Sequence, residues 1–298
     1  SWILSNLSRN RGGLYGRLTC EIKLSPFNLK ECEDYFKNEN IEMSRYDIVQ
    51  TYMVFGGIPY YLSYFKKGMS FEGNADNILF GKNPRLKDEF NRLFNAIFSN
   101  PEDCKKIIRL LAKKHVGFTR EEIAKETGLP FGGGLTDTLN ALVESDFIQR
   151  YRPYNVSGKV SFYKLIDNFS LFWLKYVEPN TEDINFMTDN MTSNIMRVWR
   201  GVAFEEVCWQ HIGQIKRALG ISGVSSSISA WSVKGNDNKE GVQIDLLIIR
   251  NDNVVNLCEM KFAGDIYSID KEEDAKIRNR IQTLINTLSP KQSVHLTM

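Results

Sequence analysis

The stretch Gly241–Phe262, GVQIDLLIIRNDNVVNLCEMKF, decides how the chain is read. Gln243–Arg250 and Val254–Phe262 are runs rich in Val, Ile and Leu. Asn251-Asp252-Asn253 between them is turn chemistry, so the pattern predicts a β-hairpin. Centred on Asp252, that hairpin sets Leu247 opposite Leu257, Ile249 opposite Val255 and Asp245 opposite Glu259. Side-chain alternation puts Ile244, Leu246 and Ile248 on one face. It puts Leu247, Ile249, Val255 and Leu257 on the other, with Lys261 sharing the face of Glu259. Strands apolar on both faces are covered on both faces.

Two carboxylates opposed on such a surface repel, and burial disfavours both charged forms. A hard divalent cation between them removes the conflict, because oxygen ligands are what Mg2+ prefers. Lys261 is then placed to orient a water or to stabilise charge developing on a phosphate. The plainer alternative has Asp245 ending a strand in solvent and Glu259–Lys261 as a surface ion pair worth ~0–1 kcal/mol. A D…ExK match alone favours that alternative; its place on adjacent apolar strands in register favours a metal site.

At these residues the sequence resembles the PD-(D/E)xK nuclease superfamily, whose core is a helix, a three-stranded meander, a second helix and a further strand. GVAFEEVCWQHIGQIKRALGI, followed by QIDLLI and LCEMKF, is similar to the C-terminal domain of unknown function 234 fused to prokaryotic AAA-type ATPases. The resemblance implies Asp245 and Glu259 as metal ligands, together with the Met260 carbonyl, and Lys261 as the catalytic lysine. Its first-helix acid falls on Glu205 or on Glu206. Ile244 stands where the superfamily usually has proline.

Composition bounds the rest. The 298 residues are enough for two or three domains, and 42% hydrophobic with 25% charged residues describes an ordinary globular chain. A formal net charge of +2 gives no support for a strongly nucleic-acid-binding surface. Cys20, Cys32, Cys104, Cys208 and Cys258 lack metal-ligand or disulfide spacing. With no signal peptide and no apolar run of spanning length, no membrane role and a cytoplasmic location are expected. A first residue other than methionine and a last segment that reads as an unfinished strand point to a fragment of a longer protein.

Residues 1–36 resemble the end of the ATPase core in the same family, with Asn28 as N-cap of a helix over Leu29–Phe36. Arg17 there is either an arginine finger reaching a nucleotide on a neighbouring module or a surface arginine. No G-x-x-x-x-G-K-S/T motif exists in the chain, and Gly132-Gly133-Gly134 reads as a loop, so ATP belongs only to the full-length protein. Residues 42–100 read as aromatic-rich helices, and YMVFGGIPYYL within them resembles the helical lid of the same family. Tyr46–Phe55 is closed by Gly56-Gly57 and Pro59 opens IPYYLSYF. The tyrosines there stack on bases or, as helical spacing favours, pack in a core. Leu86–Phe98 follows as an amphipathic helix.

Residues 102–166 have the outline of a winged helix. Helices are expected over Cys104–Lys114, after the capping residue Thr119 with Glu122 completing its box, and over Leu135–Glu144. Phe147–Tyr154 and Lys159–Ile166 form the wing. The third helix carries Asp137 and Glu144 and no Lys or Arg, which favours a scaffold or protein contact over a DNA reader. Arg150, Arg152 and Lys159 on the wing are available to a phosphate backbone. Asp167–Val177 reads as an aromatic-rich helix and Glu178–Asp183 as a hinge. A long helix then runs from Asn194 to Ala218, with His211 as a structural residue. Ser227–Lys234 is a strand, and Ser268–Leu288 is a helix with Lys276, Arg278 and Arg280 on its surface.

The expectation is thus an α+β multidomain chain. Residues 1–100 form the end of an ATPase core and helical lid, residues 101–178 a winged helix, and residues 179–298 an α/β PD-(D/E)xK nuclease-like domain. The function expected is Mg2+-dependent phosphodiester hydrolysis with DNA as a possible substrate, or else a non-catalytic docking or DNA-binding module regulated by the ATPase. Protein partners are expected at the winged helix, and homo-oligomers follow from the AAA-type resemblance.

Overall fold

The computed structural model describes residues 19–20, 22–154, 160–180, 182–233, 235 and 241–298. Arg17, Lys159 and the tip of the expected wing lie outside the described residues. The chain is mixed α/β and divides into two compact units. One runs to Gln149 and resumes over Tyr163–Arg197; the other joins Arg150–Phe162 to Val198–Met298.

The first unit is mostly helical: α1 Leu29–Asn38, α2 Arg45–Phe55, α3 Pro59–Leu62, α4 Phe71–Leu79, α5 Glu89–Ile97, α6 Pro101–Leu111, α7 Arg120–Thr127, α8 Gly133–Glu144, α9 Asn168–Phe172 and α10 Phe186–Asn190. Local chemistry sets several of its boundaries. The Asn28 side chain accepts from the Lys30 and Glu31 N–H groups while Glu31 accepts from the Asn28 N–H, the capping box that starts α1. Thr119 and Glu122 do the same for α7. Gly56, at φ +64°, ends α2, and at Gly57 a Cβ would lie 1.8 Å from the Phe27 carbonyl oxygen. The three consecutive glycines expected as a loop instead cap and begin α8, with Gly132 as N-cap.

Strands β1 (Phe118–Thr119), β2 (Ile148–Tyr151) and β3 (Phe162–Leu165) form a sheet in the order β1-β3-β2. The aromatic helix expected over Asp167–Val177 starts as α9 and loosens into a π-helical turn at Trp173–Val177. There Trp173 stacks on Phe90 at 4.6 Å and donates to the Lys87 carbonyl at 2.7 Å. Tyr52 and Tyr61 are core residues, 4% and 3% exposed, whereas Tyr60 is 51% exposed.

The second unit follows the order α11 (Asn194–Gln210), α12 (Ile212–Ala218), β4 (Ser226–Val233), β5 (Val242–Arg250), β6 (Val254–Cys258), α13 (Lys271–Ile285), β7 (Ser293–Thr297). The long helix expected from Asn194 to Ala218 breaks at buried His211, whose ring Nδ1 lies 2.7 Å from the Val207 carbonyl. Gly220 at φ +70° closes α12, and the Ile221 N–H returns to the Lys216 carbonyl at 2.9 Å. The sheet order is β4-β5-β6-β7, antiparallel except for the parallel pair β6–β7, which α13 connects. The segment after β2 lies along β4: Tyr154 N–H donates to the Ala230 carbonyl (3.1 Å) and the Ser229 hydroxyl to the Arg152 carbonyl (2.7 Å).

The hairpin register matches the sequence expectation, with Leu247 opposite Leu257 and Ile249 opposite Val255. Both faces of the sheet are covered. Leu246, Ile248 and Cys258 pack with Trp209, Ile212 and Ile215, residues of α11 and α12, while Ile244, Leu247, Val255 and Leu257 pack with Ile281 and Leu284 of α13. Leu246, Leu247, Ile248, Val255, Leu257 and Leu284 are fully buried, each worth ~1.5–3 kcal/mol relative to exposure.

One expectation fails here. Ile244 lies on the α13 face with Leu247, not with Leu246 and Ile248. The cause is a β-bulge: from Ser229 to Trp231 β4 advances two residues while its partner positions on β5 run from Leu247 to Ile244. The extra residue falls at Asp245–Leu246 and resets the alternation.

Candidate functional site

The bulge decides where Asp245 points. Regular alternation would put it on the face of Leu247 and Leu257. Instead its carboxylate is on the α11 side, where one of its oxygens lies within 4.8 Å of a carboxylate oxygen of Glu205. Its carbonyl accepts from the Trp209 indole N–H at 2.8 Å, a partner supplied where the β4–β5 ladder skips. The amide of Gln243 donates to its Oδ1 at 2.6 Å. Trp209, 2% exposed, thus anchors the bulge from one turn beyond Glu205 on the same helix. Glu206, the alternative first-helix acid, is fully buried.

Glu259 and Lys261 take the other side. The strand ladder ends at Leu246–Cys258, one step short of the expected Asp245–Glu259 pair, and the Glu259 N–H donates to the Thr297 carbonyl of β7 at 2.8 Å. Its carboxylate holds two cations. Arg280 Nη1 of α13 lies 2.6 Å from one oxygen and Lys261 Nζ 2.9 Å from the other. Lys261 also pairs with Glu273 of α13 at 2.8 Å. Met260, between them, packs on the α11 face, and the Phe262 ring lies 5.5 Å from that of Phe204.

Partial burial works to lower the Lys261 pKa, but the hydrogen bonds to Glu273 and Glu259 and their charges outweigh it, and the net shift is upward. Lys261 is therefore a cation through neutral pH. Cys208 and Cys258 are buried on the α11 face, and burial pushes both thiols up to about 12.

The structure thus brings Glu205 to Asp245 and Glu259 to Lys261, and leaves Glu259 out of the Glu205–Asp245 pair at that spacing. The expected shared face of Asp245 and Glu259 does not form, because the bulge turns the aspartate through one alternation step. Two residues that matter here were missed. Arg280 was expected on the surface, yet Glu273, Ile277, Arg280 and Leu284 recur at helical spacing along the face that carries the buried Ile277 and Leu284. Trp209 carried no signal beyond being apolar.

The pair tests well against one class of ligand. Its donors are carboxylate oxygens, the choice of hard divalent cations, and two oxygens on one Mg2+ at ~2.1 Å sit ~3–4 Å apart. Oxygens within 4.8 Å of one another reach that spacing with at most a small side-chain rotation. Two ionised carboxylates that close repel by roughly 3 kcal/mol at an effective dielectric of about 20, which a cation between them reverses.

The chain is 28% identical over 245 residues to an uncharacterized protein of Methanocaldococcus jannaschii; the match covers 80% of this chain and 52% of that protein. The chain therefore spans about half the length of that curated relative. No protein-family model and no solved structure matches it. Among the described residues, no helix is long and apolar enough to cross a membrane.

Proposed function

We propose that the C-terminal unit is a divalent-cation-dependent nuclease-like domain that hydrolyses phosphodiester bonds. The observation that carries this reading is the convergence of Glu205 and Asp245 from a helix and a bulged central strand. The order helix, three-stranded meander, helix, parallel strand supports it, being the core expected of the PD-(D/E)xK superfamily. Glu205 and Asp245 hold the cation, Mg2+ in the first instance, which when bound supplies Lewis-acid polarisation of a phosphate oxygen. Lys261 contributes fixed positive charge on the adjoining strand end, and Glu259 with Glu273 keeps it protonated. The sequence resemblance to a domain attached to AAA-type ATPases implies that any nucleotide hydrolysis belongs outside this sequence, which lacks the phosphate-cradling motif. The three helices α6, α7 and α8 with β2 and β3 support a winged helix. Its third helix, exposing Asp137 and Glu144, fits a protein contact better than DNA.

A specific observation favours a second reading, a non-catalytic docking module. Glu259, Lys261, Glu273 and Arg280 compensate one another, so the lysine has a structural role without any substrate. Cleavage of plasmid and single-stranded DNA in Mg2+ or Mn2+ separates the two. Nuclease action predicts that Glu205→Ala and Asp245→Ala each abolish cleavage while the fold persists. Full cleavage by both variants removes the assignment, and no cleavage by the parent chain with an intact Lys261-dependent stability favours docking.

A further inference from the structure

The strongest feature that the proposed site does not use lies in the other unit. Between the α3–α4 region, the loop after α4 and the residues leading into α10 is a cleft of about 750 Å³. Lys66, Lys82 and Arg85 line it, all exposed, and none has an ion-pair partner among the described residues. The single carboxylate in its lining, Asp76, is buried and turned away. It accepts from the Met187 N–H (2.7 Å), the Thr188 N–H (3.0 Å) and the Thr188 hydroxyl (2.6 Å). That bonding ties the two walls together and takes up both carboxylate oxygens.

What remains is a groove with three uncompensated cations, on a chain whose charges nearly balance overall. Elsewhere Lys30, Lys105, Lys276 and Arg278 each pair with an acid three or four residues away. Three cations lining one groove focus positive potential there and favour an anionic ligand. The groove also has an aromatic rim. Tyr64 lines it, and Tyr60, half exposed, packs edge-on against Tyr64 at 5.2 Å with their hydroxyls 2.7 Å apart.

A positive track beside an exposed ring is the arrangement that holds single-stranded nucleic acid, with charge following the backbone and rings meeting bases. We propose that the cleft lined by Lys66, Lys82 and Arg85 binds the phosphate backbone of single-stranded nucleic acid, with Tyr60 stacking on a base. This site is independent of the cation pair in the C-terminal unit and stands whether or not that unit cleaves.

The test is fluorescence anisotropy of a labelled thymidine 15-mer with the full chain in EDTA, titrated over a range of salt. Lys66→Ala/Lys82→Ala/Arg85→Ala should weaken binding at least tenfold and flatten the salt slope by about 2, since each single-strand phosphate contact contributes roughly 0.7. Tyr60→Ala should weaken it about tenfold with the slope unchanged. All four side chains are exposed, and an unchanged melting temperature checks the fold of each variant. An unchanged affinity and slope in the triple variant overturns the proposal. So does displacement of the oligonucleotide by equimolar nucleoside triphosphate or inorganic phosphate, which would make the cleft a site for small phosphate compounds. Asp245→Ala should bind the oligonucleotide as the parent does, so failure of the nuclease reading leaves this result readable.

Discussion

The two faces of the C-terminal sheet handle acidic side chains in opposite ways. On the α11 face the fold brings acid to acid, with Glu205 and Asp245 oxygens within 4.8 Å. On the α13 face it brings acid to base, in an alternating chain Arg280–Glu259–Lys261–Glu273 with contacts of 2.6–2.9 Å. The second arrangement needs no further partner, because the protein supplies both signs of charge. The first is the pair proposed to hold a divalent cation. One inserted residue at the bulge separates the two outcomes, since without it Asp245 would join Glu259 on the α13 side. The proposed ion site and the self-pairing network thus differ by a single step of strand alternation.

The largest expected effect is on cation binding. Glu205→Ala should lower Mn2+ affinity by more than the ~10–100-fold that loss of an outer-shell partner costs, while Arg280→Ala should leave it near the parent value. Equal losses in the two variants would mean that the faces act as one site. Next, Leu247→Ala should cost about 2–5 kcal/mol in urea melts, because a fully buried side chain under α13 is lost. A smaller effect is due at Trp209→Phe, which keeps an aromatic but smaller ring and leaves the Asp245 carbonyl without its indole donor. About 1–3 kcal/mol of stability should go, and cation affinity should fall with it. If affinity holds, the bulge does not depend on the tryptophan.

The smallest effect concerns pH. Lys261 has its folded pKa raised above the ordinary lysine value of 10.5, so its contribution to stability is fully present below that value. It is lost only as pH rises through the folded value. Melting temperatures of the parent and of Lys261→Met should therefore keep a constant difference from pH 6 to 9, narrowing only above about 10.5. A difference that closes near neutrality would contradict the paired network.

Much of this was legible in the residues. The turn at Asn251-Asp252-Asn253 and the apolar runs beside it fix the hairpin register, because slipping by one would expose Leu247 and Leu257. Asn28 with Glu31 and Thr119 with Glu122 announce helix starts through contacts only three residues apart. The bulge was not legible, since it depends on how β5 pairs with β4, a contact between separate runs of the chain. Nor was the inward turn of Arg280, which a local view assigns to a solvated face until Ile277 and Leu284 show where α13 packs. The same holds for the break at His211, where the helical pattern continues and only the backbone geometry changes. The sequence marks Glu205, Asp245, Glu259 and Lys261 as polar residues around the hairpin; which partners they meet is decided by the fold.

The account rests on Glu205 and Asp245 acting together as ligands. Isothermal titration calorimetry with Mg2+ or Mn2+, on the parent chain and on Asp245→Ala, tests it most directly. One cation per chain in the parent and none in the variant, with both melting alike in the absence of metal, is the predicted result. Equal binding by the two chains, or no binding by the parent, would contradict it.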